Sequence, residues 1–272
     1  MKDIRQSALY ADYLSRAGWM VEKASGINYF IKKLPIVGSV IKIQRPEEIE
    51  LDKIDRLAKI YRALQIIVEP KNTIDIGPLT KNGYRLSKSP YLPTKTLQID
   101  LTKPKEKIFQ NLLKDARYAI RENPDCKAGF TIDIEEFRSI WKKSVGPRRY
   151  IPSLKHLVAL KKSFGNNCAF CSCSSTSKQI KAGAIFLLAD GVGYYWQAFT
   201  NKEGRRALMQ YKIVWEGLLW AKKMGAKIFD FEGIYDERFP NKSWLGFTHF
   251  KKSFGGIVVE YPGAFIKTRL PL

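Results

Sequence analysis

Ala184-Ile-Phe-Leu-Leu-Ala189 and Val192-Gly-Tyr-Tyr-Trp-Gln-Ala-Phe199 flank an Asp190-Gly191 pair. Two apolar runs around Asp-Gly read as antiparallel strands joined by a tight hairpin, because these two residues accept the positive φ such a turn needs. Downstream, Leu208, Tyr211, Trp215, Leu218 and Leu219 form the stripe of a helix laid on a sheet. Gly225 ends that helix, with Lys222 and Lys223 complementing its C-terminal dipole. Lys227-Ile-Phe-Asp-Phe-Glu-Gly-Ile234 reads as a buried strand. Phe247, Phe250 and Phe254 mark a helix stopped by Gly255-Gly256, and Ile257-Val-Val-Glu-Tyr261 is a last strand.

Working outward, the N-terminal part runs in a similar order. Residues 3–16 read as a helix, 19–22, 29–31 and 39–43 as strands, 48–64 as a helix and 65–69 as a buried strand closed by Pro70. Residues 71–93, with Gly77, Pro78, Asn82-Gly83, Pro90 and Pro93, read as the crossing between two halves. The order then restarts with strand 97–101, helix 105–121 and helices 134–143 and 153–164, the last with Ser153 as N-cap. No residue-level repeat accompanies this duplication of architecture. Each half resembles the N-acetyltransferase-like (GNAT) fold. The expectation is an α+β protein of two GNAT-like subdomains, each a mixed sheet flanked by helices. A shortened first subdomain takes residues 1–93 plus 257–272, the tail returning to it, and the second takes 94–256.

The 272 residues can bury a real core, since 45% are hydrophobic. Lys and Arg number 47 against 26 Asp and Glu, a net charge of +21. That excess favours a polyanionic partner: nucleic acid, pyrophosphate or an anionic membrane face. The charged start, Met1-Lys-Asp-Ile-Arg-Gln6, reads against a secretory leader, so none is expected, and no apolar run approaches the roughly 18 residues of a membrane span. A cytoplasmic protein that visits the inner membrane face electrostatically is expected. Cys126, Cys168, Cys171 and Cys173 are then expected to be reduced. Cys168-Ala-Phe-Cys-Ser-Cys173 reads as a strand that splits its cysteines between two faces, and neither His156 nor His249 has ligand spacing to it, so no metal is expected.

Asp230-Phe-Glu-Gly233, Gly246-Phe-Thr-His-Phe-Lys-Lys-Ser-Phe-Gly-Gly256 and Val259-Glu-Tyr-Pro-Gly263 together resemble the FemA/FemB/FemX family of peptidoglycan bridge-forming aminoacyltransferases. The likeness continues more faintly through Pro93–Leu101 and Lys114–Arg121. It implies transfer of an amino acid from aminoacyl-tRNA to the stem peptide of a peptidoglycan precursor, UDP- or lipid-linked, by a monomer without a further cofactor. It also implies that Phe250 and Lys251 lie by the acceptor end of the tRNA, the lysine facing the oxyanion. On spacing alone, Lys251 and Lys252 equally serve a helix C-terminus. Asp230 and Glu232, two apart on one strand, share a face, and Asp230 is the expected site-lining carboxylate. Arg117 and Arg121, at i and i+4 with Lys114 a turn earlier, form either an anion clamp for the precursor diphosphate or a solvated basic face. Arg16 is the candidate for a second such cation. Tyr195 and Gln197 point one way from their strand and Tyr194 and Trp196 the other, and the first pair is assigned to the acceptor channel. Residues 236–243 read as a mobile loop beside the site.

Two rivals remain at this level. GNAT folds host acyl-coenzyme A donors, but Thr200-Asn-Lys-Glu-Gly-Arg-Arg-Ala207 has one glycine and lacks the second small residue of a pyrophosphate loop. A basic RNA-binding module without chemistry fits the charge alone.

Overall fold

The computed structural model describes residues 1–121, 127–131, 133–146, 149–174 and 179–269. Cys126 therefore lies outside the described residues. The chain divides into two compact units. One comprises Met1–Lys95, Tyr235–Lys242 and Val259–Leu272, the other Thr96–Ile234 and Ser243–Val258. Both are α+β, each with a mixed sheet flanked by helices.

In the first unit, a 3-10 turn at Ile4–Gln6 precedes α1 (Ala8–Arg16), because Ser7 leaves helical geometry to cap the Tyr10 amide. The strands β1 (Met20–Ala24), β2 (Ile27–Leu34) and β3 (Gly38–Gln44) form an antiparallel meander. Helix α2 (Leu51–Ile60) then delivers β4 (Ala63–Glu69) parallel to β3. The last strand of the chain, here β13 (Phe265–Thr268), returns to pair antiparallel with β4. Residues 71–93 differ from a bare crossing. They contribute α3 (Ile76–Lys81) and β5 (Arg85–Leu86), and β5 pairs with β13 at the sheet edge. Leu79 and Tyr84 supply the apolar anchors that the Pro- and Gly-rich composition concealed. Ile31, Ile41, Ile54, Ile66 and Val68 are central to this unit's core.

The second unit carries a seven-stranded sheet in the order β12-β6-β11-β10-β9-β8-β7. Its strands are β6 (Lys95–Asp100), β7 (Lys127–Thr131), β8 (Cys168–Ser174), β9 (Ile180–Ala189), β10 (Val192–Thr200), β11 (Ile228–Asp230) and β12 (Ile257–Glu260). Strand β7 is absent from the sequence reading. The single helix expected over 105–121 is two, α4 (Lys105–Gln110) and α5 (Lys114–Arg121), with the Leu113 amide donating to Ser253 O at 2.8 Å between them. The helices α6 (Ile134–Ser144), α7 (Leu154–Phe164), α8 (Lys202–Arg206), α9 (Met209–Lys223) and α10 (Leu245–Lys252) complete it. The β9–β10 hairpin turns at Asp190 (φ 47°) and Gly191 (φ 79°), the paired positive values its sequence demanded. Helix α9 lies on this sheet so closely that a Cβ on Gly217 would meet the Phe186 ring at 2.1 Å.

Cys168 and Cys171 are free and buried, and their thiols are pushed up to about 12 by burial. Cys173 is disulfide-bonded, so four reduced cysteines is not what the fold contains. No group of three or more metal-ligating side chains is found among the described residues. None of the described helices is long and apolar enough to cross a membrane.

Candidate active site

The parallel strands β10 and β11 pair over Val192–Tyr194 and Ile228–Asp230, then part. On one side, β10 bulges between Tyr195 and Gln197, so Trp196 is an extra residue against β9. The bulge breaks the alternation assumed for this strand. Tyr195 turns into the core against Phe186 and Phe231 (5.8 and 5.9 Å between ring centroids), while Gln197 is half-buried. Tyr195 therefore lies against core rings, with its hydroxyl accepting from Gln210 Nε2 at 2.8 Å and its acidity lowered by burial.

On the other side, β11 ends at Asp230, shorter than the buried strand expected through Ile234. Glu232 sits in the left-handed region at φ 55° and Gly233 at φ 120°. A non-glycine residue there costs on the order of 1–3 kcal/mol and persists only where surroundings enforce it. Several groups enforce it here. Asp230 Oδ1 accepts from the Glu232 amide and from Thr96 Oγ1, both at 2.7 Å, and Thr96 Oγ1 accepts from the Gly233 amide at 3.2 Å. From α10, Lys251 Nζ donates to Phe231 O at 2.7 Å and to Gly233 O at 2.6 Å. The turn also overturns the expectation that Asp230 and Glu232 share a strand face. Asp230 is buried and its Oδ2 takes Gln98 Nε2 at 2.8 Å, whereas Glu232 is half-exposed.

Lys251 is 8% exposed. Its ammonium lies 5.5 Å from the Tyr195 ring centre and 4.9 Å from that of Phe247, one turn earlier on α10. Burial lowers its pKa to about 8, against the attraction of Glu232 and Asp230. Asp230 is raised above the usual carboxylate range, first by burial and then by repulsion from Glu232. Buried ammonium, main-chain carbonyls and a displaced carboxylate thus converge where β10 and β11 separate. Such a centre can donate a hydrogen bond to a developing oxyanion and exchange protons near neutral pH.

The other expected residues are dispersed. Phe250 packs its ring on Tyr211 (4.8 Å) and Phe254 (5.4 Å), so it braces α10 while Phe247 shares the ammonium. Arg117 Nη1 donates to Gln110 O at 2.9 Å and to Leu112 O, capping α4. Arg121 is exposed, its guanidinium 4.8 Å from the Phe109 ring centre. Arg16, in the first unit, pairs with Asp12 at 2.8 Å. Residues 236–243 are anchored at their start: Asp236 is held at about 2 by Arg238, its Oδ2 accepting from Arg238 Nη2 and Thr94 Oγ1 at 2.7 and 2.6 Å. At the position of a coenzyme A loop, the Gly204 amide donates to Asn201 Oδ1 at 2.8 Å, and a Cβ there would meet Lys181 O at 2.7 Å.

Phe247, Thr96, Gln98 and Gln210 escaped the sequence reading. The i, i+4 spacing of Phe247 and Lys251 was available. So was the pair of polar residues at strand period in Thr96-Leu-Gln98. Gln210 depends on the β10 bulge, which has no clear local signal.

Residues 147–272 match the model of the FemAB family. FemX superposes with a TM-score of 0.79 at 15% identity, covering 98% of this chain and 92% of that one. The C-terminal domain of a putative lysylphosphatidylglycerol synthetase from Agrobacterium fabrum follows at 0.64 and 11%, covering 98% and 89%. A GCN5-related N-acetyltransferase from Kribbella flavida gives 0.51 and 12%, covering 98% and 95%. At these identities the superpositions speak for the fold, and no curated protein matches the sequence. The α10 lysine and the strand fork both fall inside the segment that matches the FemAB family model, and the chain as a whole has a GNAT-like fold similar to that of FemX.

Proposed function

We propose that this protein transfers an amino acid from aminoacyl-tRNA to the stem-peptide amine of a peptidoglycan precursor. The observation that carries the reading is the buried Lys251 ammonium at the strand fork, within the segment that matches the FemAB family model. The name of one fold neighbour, a lysylphosphatidylglycerol synthetase, also describes an aminoacyl group joined to an acceptor.

The ester carbonyl of a charged tRNA is already activated, so the site has to orient two substrates, free the amine and stabilise the tetrahedral oxyanion. Two N–H groups of Lys251 are committed to Phe231 O and Gly233 O, which fixes the direction of the third. That third N–H takes the oxyanion. Glu232, half-exposed on the clamped turn, takes the proton of the attacking ammonium. The amine nitrogen bonds to the carbonyl carbon, the ribose oxygen leaves with the second amine proton, and Glu232 returns its proton to water. Asp230, with both oxygens occupied, acts as a positioning residue. Arg121 is the cation assigned to the precursor's diphosphate.

Incubating the protein with a mixed pool of charged tRNAs and a UDP-linked muropeptide tests this directly. The acceptor's mass should rise by one or more aminoacyl residues. Absence of any gain with either UDP- or lipid-linked acceptor favours the RNA-binding alternative. Saturable coenzyme A binding with acyl transfer from its thioester favours the N-acyltransferase alternative.

A further inference from the structure

The tip of the β2–β3 hairpin, in the first unit, has no role in the chemistry above. Beyond the last pair, Leu34 with Gly38, the chain runs through Pro35, Ile36 and Val37, all exposed. Ile36 is fully exposed and Val37 51% exposed. The Val37 amide donates to Pro35 O at 2.8 Å, and Ile36 between them has φ 70°. That is a γ-turn of the rare, strained, positive-φ kind, and a β-branched residue at its centre is an outlier. Folding gains nothing from holding an isoleucine there.

The tip is braced. The Ser39 amide donates to Arg62 O at 3.1 Å and Ser39 Oγ to Tyr61 O at 2.8 Å, and a Cβ on Gly38 would meet Arg62 O at 2.3 Å. These contacts bring the C-terminal end of α2 beside the tip, and with it Ile60, 69% exposed. Lys33, Lys59 and Arg62 are exposed around these apolar side chains.

We infer that this tip is an interfacial anchor: Ile36, Val37 and Ile60 enter the acyl boundary of an anionic bilayer while Lys33, Lys59 and Arg62 meet its headgroups. Apolar side chains rimmed by cations fit that surface. The chain's net charge of +21 adds long-range attraction to an anionic leaflet.

The test is co-sedimentation of the full chain with vesicles of phosphatidylglycerol and phosphatidylethanolamine, and with vesicles of phosphatidylcholine alone, at low and high salt. Wild type should bind the anionic vesicles preferentially, with a salt-resistant part. Ile36→Asp combined with Val37→Asp should weaken that binding at least tenfold without lowering the melting temperature, since aspartate accepts the positive φ. Lys33→Glu with Arg62→Glu should remove the salt-sensitive part. Equal binding by the aspartate variant, no binding of wild type to anionic vesicles, or a wild-type dimer dissolved by the aspartates overturns the inference. Transfer to a soluble precursor is unaffected in every case, so this outcome is independent of the proposed activity.

Discussion

Each sheet contains a parallel strand pair next to a helix crossover, β3–β4 in the first and β10–β11 in the second, and the two differ in how far they stay closed. In the first unit β3 and β4 pair in six positions, from Ser39 with Ala63 to Gln44 with Glu69. Strand β13 covers the other edge of β4, and the Glu69 carboxylate fastens the end by accepting from Gln44 Nε2 at 2.7 Å and the Leu92 amide at 2.7 Å. In the second unit β10 and β11 pair in three positions and separate. The gap is filled by a lysine instead of a strand neighbour. Similar architecture yields a closed ladder where backbone bonds continue and a candidate reaction centre where they stop.

The sharpest way to break this comparison is Lys251→Met. Losing an oxyanion donor costs about 10²–10³ in turnover, so transfer should fall by about that factor while Tyr195 and Phe247 keep an apolar neighbour. Undiminished transfer in a steady-state assay would remove the fork from the chemistry.

The same variant sharpens the electrostatic side. Lys251 has its ordinary value near 10.5 in the unfolded chain and about 8 in the fold. Between those limits the unfolded chain holds the extra proton, so stability should rise as pH climbs from about 8 to 10.5, by about 3 kcal/mol in total. The increment should vanish in Lys251→Met when denaturant melts are compared across that window. Asp236, in the first unit, runs on the carboxylate pattern: its contribution is present above 3.8 and lost as pH falls through about 2. Asp230 has the opposite sign, its raised value making stability fall as pH rises through it.

Arg117 and Arg121 should separate cleanly. Arg117→Ala removes the α4 cap and should cost about 1 kcal/mol in thermal melts with little effect on precursor affinity. Arg121→Ala should leave stability unchanged and weaken binding of a UDP-linked muropeptide about tenfold by calorimetry. The smallest change expected is in the stability of Glu232→Gly. Relief of the positive φ should add up to about 1 kcal/mol while transfer drops, and a variant that is more stable and fully active would clear Glu232 of any part in proton transfer.

Much of the fold was legible because its signals are local. The Asp190-Gly191 hairpin, the α9 stripe and the Gly255-Gly256 stop are written in neighbouring residues, and each element formed close to where it was read. The α4–α5 break was not legible, since it rests on the Leu113 amide donating to a carbonyl of Ser253, far along the chain. Strand β5 was missed for a related reason: two residues become a strand only because β13 returns beside them. The lysine of the candidate site was picked out from its motif, but its partners were not, because alternation fails at the β10 bulge and at the Glu232 turn.

The sequence by itself determined the element types and the doubling of the architecture, since periodicity and turn chemistry need no distant information, and its resemblance to a known family singled out Lys251 as a candidate. Only the tertiary structure decided that Asp230 is a buried brace, that Arg117 is a cap and that the ammonium of Lys251 is turned onto main-chain carbonyls. Those outcomes depend on which buried donors and acceptors find each other across more than a hundred residues, as Thr96 and Asp230 do. A group removed from water has to be satisfied by whatever the fold brings to it.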